Sequence, residues 1–157
     1  LTVGFIKEVT GRWTFTGFNS HIGNTTVSNG VLALSTNSAG VNGEIVGSAL
    51  ITVAAPAALT VTNRTDGMLL IGNSAAQTLA GNGIIFGGLW VLGLGTLSPG
   101  FSIGTLTVTG NATNNAGYLV EDNRAAAQNS DRLVARTLTS TERRSSWCHC
   151  ELFVFRS

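Results

Sequence analysis

Apolar and polar positions alternate with period two in short runs along most of this chain. Examples are Thr25-Thr26-Val27, Val31-Leu32-Ala33-Leu34, Ala49-Leu50-Ile51-Thr52-Val53, Leu59-Thr60-Val61-Thr62 and Gly104-Thr105-Leu106-Thr107-Val108-Thr109. Each puts a Leu, Ile or Val on one face and a Thr or Ala on the other, the pattern of a half-buried strand. Gly, Asn and Ser separate the runs, and no sustained 3.6-residue period occurs before residue 121. An all-β chain is expected.

The runs also resemble one another. Asn29–Ser35, Ala57–Asn63 and Gly104–Gly110 share a small residue, then Leu-x-Leu or Leu-x-Val, then a hydroxyl and a turn-former. Leu32 and Leu59 are 27 residues apart, and Leu59 and Leu106 are 47 apart, close to two equal steps. A repeat of that length points to a solenoid rather than a hairpin sandwich. The expected fold is a right-handed parallel β-helix of about five coils of ~20–25 residues, with stacked Leu, Ile and Val inside. Glycine and asparagine are expected to supply positive φ at its corners. The most apolar stretch, Ile84–Leu97, is too short and too glycine-rich for a membrane helix.

Composition divides the chain. All 20 glycines lie at or before Gly117, and residues 13–120 hold only three charges, Glu44, Arg64 and Asp66. Residues 121–157 hold 11 of the 17 charges and both cysteines. Basic and acidic residues nearly balance, three against three in residues 1–120 and six against five in residues 121–157, which gives no footprint for nucleic acid. Solubility rests on Ser, Thr and Asn, because the charged fraction of 11% is well below the roughly 25% of ordinary globular domains. Leu1–Thr10 lacks the features of a signal peptide, so a mature chain or a fragment is expected.

Two blocks carry a family resemblance. Gly11-Arg12-Trp13-Thr14-Phe15-Thr16-Gly17-Phe18-Asn19, continued by Gly23–Ser35, resembles the passenger-associated strand repeat of bacterial autotransporters, with His21 near the family's tyrosine position. Leu79–Gly83 and then Gly95–Asn111, containing Leu97-Ser98-Pro99-Gly100-Phe101-Ser102-Ile103-Gly104-Thr105-Leu106, are similar to a second block of that family. Gly117–Glu121 and Ser130–Val134 fit the stretch C-terminal to that block in the family, so the resemblance spans about residues 11–135. It implies a β-helix passenger on the bacterial surface or secreted, exported by an outer-membrane barrel on the same polypeptide. Trp13 and Phe15 are expected to share one strand face and stack inward, and Ser98-Pro99-Gly100 to form a corner.

From Arg136 onward the chain departs from the family. Residues 1–135 are expected to form the solenoid, and residues 136–157 an irregular, atypical tail from a frameshift or false continuation. The tail offers Cys148, His149 and Cys150 as soft ligands, but structural zinc needs four ligands and no second pair exists.

Other candidate chemistry is sparse. Glu44 and Asp66 are 22 residues apart, about one coil, so the two carboxylates are placed to lie side by side. Only Arg64 is near them in sequence, and Arg64 with Asp66 is expected to form a surface ion pair. His21 is expected to face solvent or a turn, without an acid to orient it for serine chemistry. Gly81-Asn82-Gly83 fails the dinucleotide spacing at Phe86 and reads as turn glycine. The sequons at Asn24, Asn63 and Asn111 discriminate nothing. A non-catalytic segment is expected, without catalytic residues, metal or cofactor, whose partners are surface ligands of host or neighbouring cells and further copies meeting at open strand edges. A polysaccharide-acting β-helix enzyme and a non-functional gene fragment are the alternatives.

Overall fold

A computed structural model of the chain describes residues 2–101, 103–120 and 130–140. They are all β, arranged as a parallel β-solenoid of about five turns. The first coil holds β1 (Phe5–Lys7) and β2 (Arg12–Thr16), and the second β3 (Thr25–Val27) and β4 (Val31–Ser35). The third holds β5 (Leu50–Val53), β6 (Ala58–Asn63) and β7 (Met68–Ile71). The fourth holds β8 (Gln77–Gly81), β9 (Ile84–Phe86) and β10 (Gly88–Val91). After these come β11 (Gly95–Pro99) and β12 (Thr105–Asn114), then β13 (Gly117–Tyr118) and β14 (Arg132–Ser140).

Equivalent strands pair in parallel, coil on coil. One face is the sheet β1-β3-β5-β8-β11-β13. The other sheet turns a corner. β12 pairs through its first half with β9 and through its second with β10, with a register shift between Val108 and Asn111. The result is three faces around one core. No strand has to be long, because each needs only to present one or two inward side chains before the next corner.

Those inward side chains form files. Phe5, Thr25, Ile51, Leu79, Leu97 and Tyr118 stand in register along the first face. Trp13, Leu32, Leu59, Ile85, Val108 and Ala135 do so along the second. Leu69, Leu89, Ala112 and Leu138 form the third. Leu32, Ile51, Leu59, Leu79, Ile85, Leu89 and Leu97 are fully buried, and burial of each such side chain contributes about 1.5–3 kcal/mol.

The 27-residue step from Leu32 to Leu59 is the observed register. The next two steps carry Leu59 to Ile85 and then to Val108, so Leu106 lies two residues out of the file and faces Leu133 instead. A two-residue slip keeps a side chain on the same face, and Leu106 is accordingly buried.

The corners work differently from expectation. Among the described residues, positive φ is confined to glycine. Asparagine serves through its side chain: Oδ1 of Asn29 accepts from Gly30 N, Oδ1 of Asn37 from Ala39 N and Val41 N, and Oδ1 of Asn82 from Ala55 N. Pro99 ends β11, and the chain turns at Gly100 (φ 91°). Ile84–Leu97 forms β9, β10 and the start of β11, and no helix among the described residues is long and apolar enough to cross a membrane. The ladder continues past Ala135: Thr137–Ser140 pair with Asn111–Asn114. Strand pairing therefore extends to Ser140, beyond the boundary that composition and motif suggest. Cys148, His149 and Cys150 lie outside the described residues.

Candidate functional site

Three polar constellations sit in or beside the core. The first is on the turn joining β2 to β3. His21 is half-buried, its ring against Phe5 and Phe15 at centroid distances of 6.1 and 6.2 Å. Its Nε2 lies 2.8 Å from Thr25 Oγ1 and 3.1 Å from Ser48 Oγ, and those two hydroxyls are 2.6 Å apart. Thr25 and Ser48 are fully buried. His21 thus sits on a turn, one of the two placements the sequence suggests, with its ring half-buried against the aromatics of the first coil. Burial holds its pKa below the ordinary 6.5, so the ring is neutral at pH 7 and can accept a hydroxyl proton. A serine and an imidazole are thus in hydrogen-bond contact. Neither Glu44 nor Asp66 joins them, and the buried Ser48 hydroxyl presents no face to a substrate. The cluster replaces one apolar layer of the first file with a satisfied polar one.

Lys7 makes the second constellation. It stands in the inward row with Val27 and Val53, fully buried. Its Nζ donates to the carbonyls of Val9 and Asn29 and lies 5.3 Å from the Trp13 ring centroid. Two carbonyl acceptors and an aromatic face together offset the desolvation of an ammonium. The expected inward pair, Trp13 and Phe15, stands over Leu32 and Leu34. Phe5 meets Phe15 edge-on at 4.6 Å and Trp13 at 5.7 Å. Trp13 remains 44% exposed because no described coil lies above it.

Arg64 organises the third. Nε and Nη2 donate to the two oxygens of Asp66 at 2.9 and 2.7 Å, while Nη1 donates to the Gly43 carbonyl at 2.6 Å. The pair expected on the surface is thus anchored inside: the Arg64 side chain is 4% exposed and that of Asp66 35%. The hydrogen bond from Arg64 is the main cause holding the Asp66 carboxyl below its ordinary value, with the amide of Met68 assisting. Glu44 lines a shallow depression with Leu34, Ile45, Arg64, Leu69 and Asn73. Glu44 and Arg64 thus line one depression from consecutive coils, while Asp66 is the carboxylate that pairs with the guanidinium. No group of three His, Cys, Asp or Glu side chains placed to hold a metal occurs among the described residues.

Sequence reasoning misses Lys7, Thr25, Ser48 and Gln77. Gln77, also buried, donates from Nε2 to the carbonyls of Ile45 and Ser48 and accepts from Gly72 N. Period-two parity places Lys7, Thr25 and Gln77 in principle, since Phe5/Lys7 and Gln77/Leu79 share faces. What parity does not reveal is the backbone carbonyl or hydroxyl waiting a coil away. Gly81-Asn82-Gly83 is a corner, as expected, with Gly81 at φ 113° and Gly83 N donating to Val53 O. Comparison with family models, with curated proteins and with solved structures returns no match for this chain.

Proposed function

We propose that the chain is a structural and adhesive β-solenoid segment, exposed at a bacterial surface or secreted in the manner of an autotransporter passenger. The observation that carries this reading is the file Phe5–Thr25–Ile51–Leu79–Leu97–Tyr118. It gives a continuous core to a fold whose outer faces are mostly Thr, Ser, Asn and Ala. Such a molecule is stiff along its axis and presents broad neutral faces rather than a pocket. The resemblance of residues 11–35 and 79–111 to the passenger repeat supplies the location, and it implies an outer-membrane barrel on the full-length polypeptide.

The partners are surface ligands and further copies. Among the described residues, β1 pairs only with β3 and β2 only with β4, so each leaves one edge free to accept another strand.

Antibody raised against the chain tests the location. Labelling of intact source cells that external protease removes is the expected result. Labelling only after lysis defeats the reading. Translation of the downstream nucleotides in all frames tests the export route, with alternating segments of about ten residues expected for barrel strands.

A further inference from the structure

The outer side of the third face carries an indole on a surface without charged side chains of its own, bordered at its Leu70 end by the depression that Glu44 and Arg64 line. Leu70, Trp90, Thr113 and Thr139 stand in register across four successive strands, β7, β10, β12 and β14. Their neighbours Leu69, Leu89 and Ala112 are buried, so this row points outward. Trp90 is 40% exposed, which leaves much of its indole open to a ligand. A second outward row holds Asn111 and Thr137.

The surroundings of Trp90 keep the surface level. Two residues before it stands Gly88, where an added Cβ would meet Met68 Sδ at 2.2 Å. Met68 thus fills the position a side chain at residue 88 would occupy. Beyond Trp90 the surface changes to hydroxyl and amide. The side chains of Asn111, Thr113, Thr137 and Thr139 have no hydrogen-bond partner among the described residues. None of these positions is charged. Among the described residues the bordering charges are Glu44, which lines a depression with Leu70 and Arg64, Asp66, paired to Arg64, and Arg136 at the corner before Thr137.

We infer that this face is a binding platform for an extended neutral oligosaccharide, with Trp90 as its stacking anchor. A pyranose ring presents axial C–H groups of partial positive charge, which suit the negative face of an indole. Its equatorial hydroxyls both donate and accept, as do Asn and Thr side chains. The rungs repeat every ~4.8 Å along the axis, nearly the advance per sugar of an extended β-linked chain, so successive sugars meet Trp90, Thr113 and Thr139 in turn. An anionic polymer would require cations that these rows lack. A lipid surface would gain little from the Asn and Thr half. The inference rests on the adhesive reading and deepens it by naming a ligand class.

The test is calorimetric titration of the full chain with cellohexaose, xylohexaose, mannohexaose and laminarihexaose. Binding of at least one is expected. Trp90→Ala and Trp90→Leu should weaken it about tenfold or more, with far-UV spectrum and melting temperature retained. Thr113→Val combined with Thr139→Val should weaken it as well, and Trp13→Phe should leave it unchanged. Four results each overturn the inference: no binding of any neutral hexasaccharide, binding indifferent to Trp90, preference for hexagalacturonate, or Trp90-dependent binding to phosphatidylcholine vesicles. Failure here leaves surface exposure intact, because cell labelling reads that independently.

Discussion

The Nη1 of Arg64 donates to the carbonyl oxygen of Gly43 at 2.6 Å, fastening the third coil to the second through a guanidinium that is itself buried. The other two donors hold Asp66, so one planar group serves three acceptors in fixed directions. Removing it strands a buried carbonyl. Arg64→Ala is therefore expected to lower stability by about 2–4 kcal/mol in urea titration. Arg64→Lys should recover less than half, because a point charge cannot serve Gly43 and both Asp66 oxygens together. A lysine variant of wild-type stability would show that charge alone suffices. Asp66 adds an acid dependence. Its folded pKa is depressed, so its contribution is present above the ordinary 3.8 and is lost as pH falls through the lower folded value. Asp66→Asn should flatten that loss.

His21 gives a second pH dependence in a separate window. Burial lowers its pKa below 6.5, so the unfolded chain binds a proton more readily than the folded one. Stability is fully present above pH 6.5 and declines as pH falls through the interval below it. His149 adds a second imidazole to the chain, which makes the variant difference the quantity to measure. The urea midpoint of the wild-type chain should fall between about pH 8 and pH 5 by more than that of His21→Gln. Equal falls would show that the contacts to Thr25 and Ser48 tolerate the imidazolium.

Close coil stacking makes glycines unequal. At Gly72, φ is +73° and an added Cβ would lie 1.9 Å from Gly95 N, inside the backbone of the next coil. At Gly93 nothing lies within 4 Å and φ is not positive. Gly72→Ala is thus expected to prevent the third and fourth coils from stacking and to abolish a cooperative melt. Gly93→Ala should be neutral or stabilising by about 0.4–1 kcal/mol, since it only restricts the unfolded chain. Thermal melts followed by far-UV circular dichroism separate the two, and a folded Gly72→Ala would mean the corner can open.

Period-two parity makes the inward files legible in the amino-acid sequence. Leu32, Ile51, Leu59 and Val108 are marked as inward by their neighbours alone. The repeat spacing puts Leu106 where Val108 stands, and this does no harm because the slip is an even number of residues. Lys7 and the His21–Thr25–Ser48 cluster are not legible. Their stability as buried polar groups depends on partners such as Asn29 and Ser48, which are 22 and 27 residues from Lys7 and His21. Coil lengths vary with each corner, so local pattern does not say which carbonyl or hydroxyl will arrive overhead. Trp90 is hidden for another reason. Inside an apolar stretch it reads as core, and only its register opposite Leu70 and Thr113 turns it outward.

The last strand sets where the chain can be shortened. Thr137, Leu138, Thr139 and Ser140 pair with Asn111–Asn114, and Leu138 packs on the core above Ala112. Removing residues 137–157 deletes those four pairs and uncovers Ala112 at the end of the third file. Removing residues 141–157 deletes none of the described pairs. The shorter product, ending at Arg136, is expected to melt roughly 5 °C or more below the one ending at Ser140, because burial of Leu138 and its ladder is lost. Equal melting temperatures would mean that the second half of β14 contributes no net stability. The family pattern breaks near Ala135, and glycine ends earlier still at Gly117, yet Thr-Leu-Thr-Ser at residues 137–140 still alternates with period two. That alternation is enough to close one more rung.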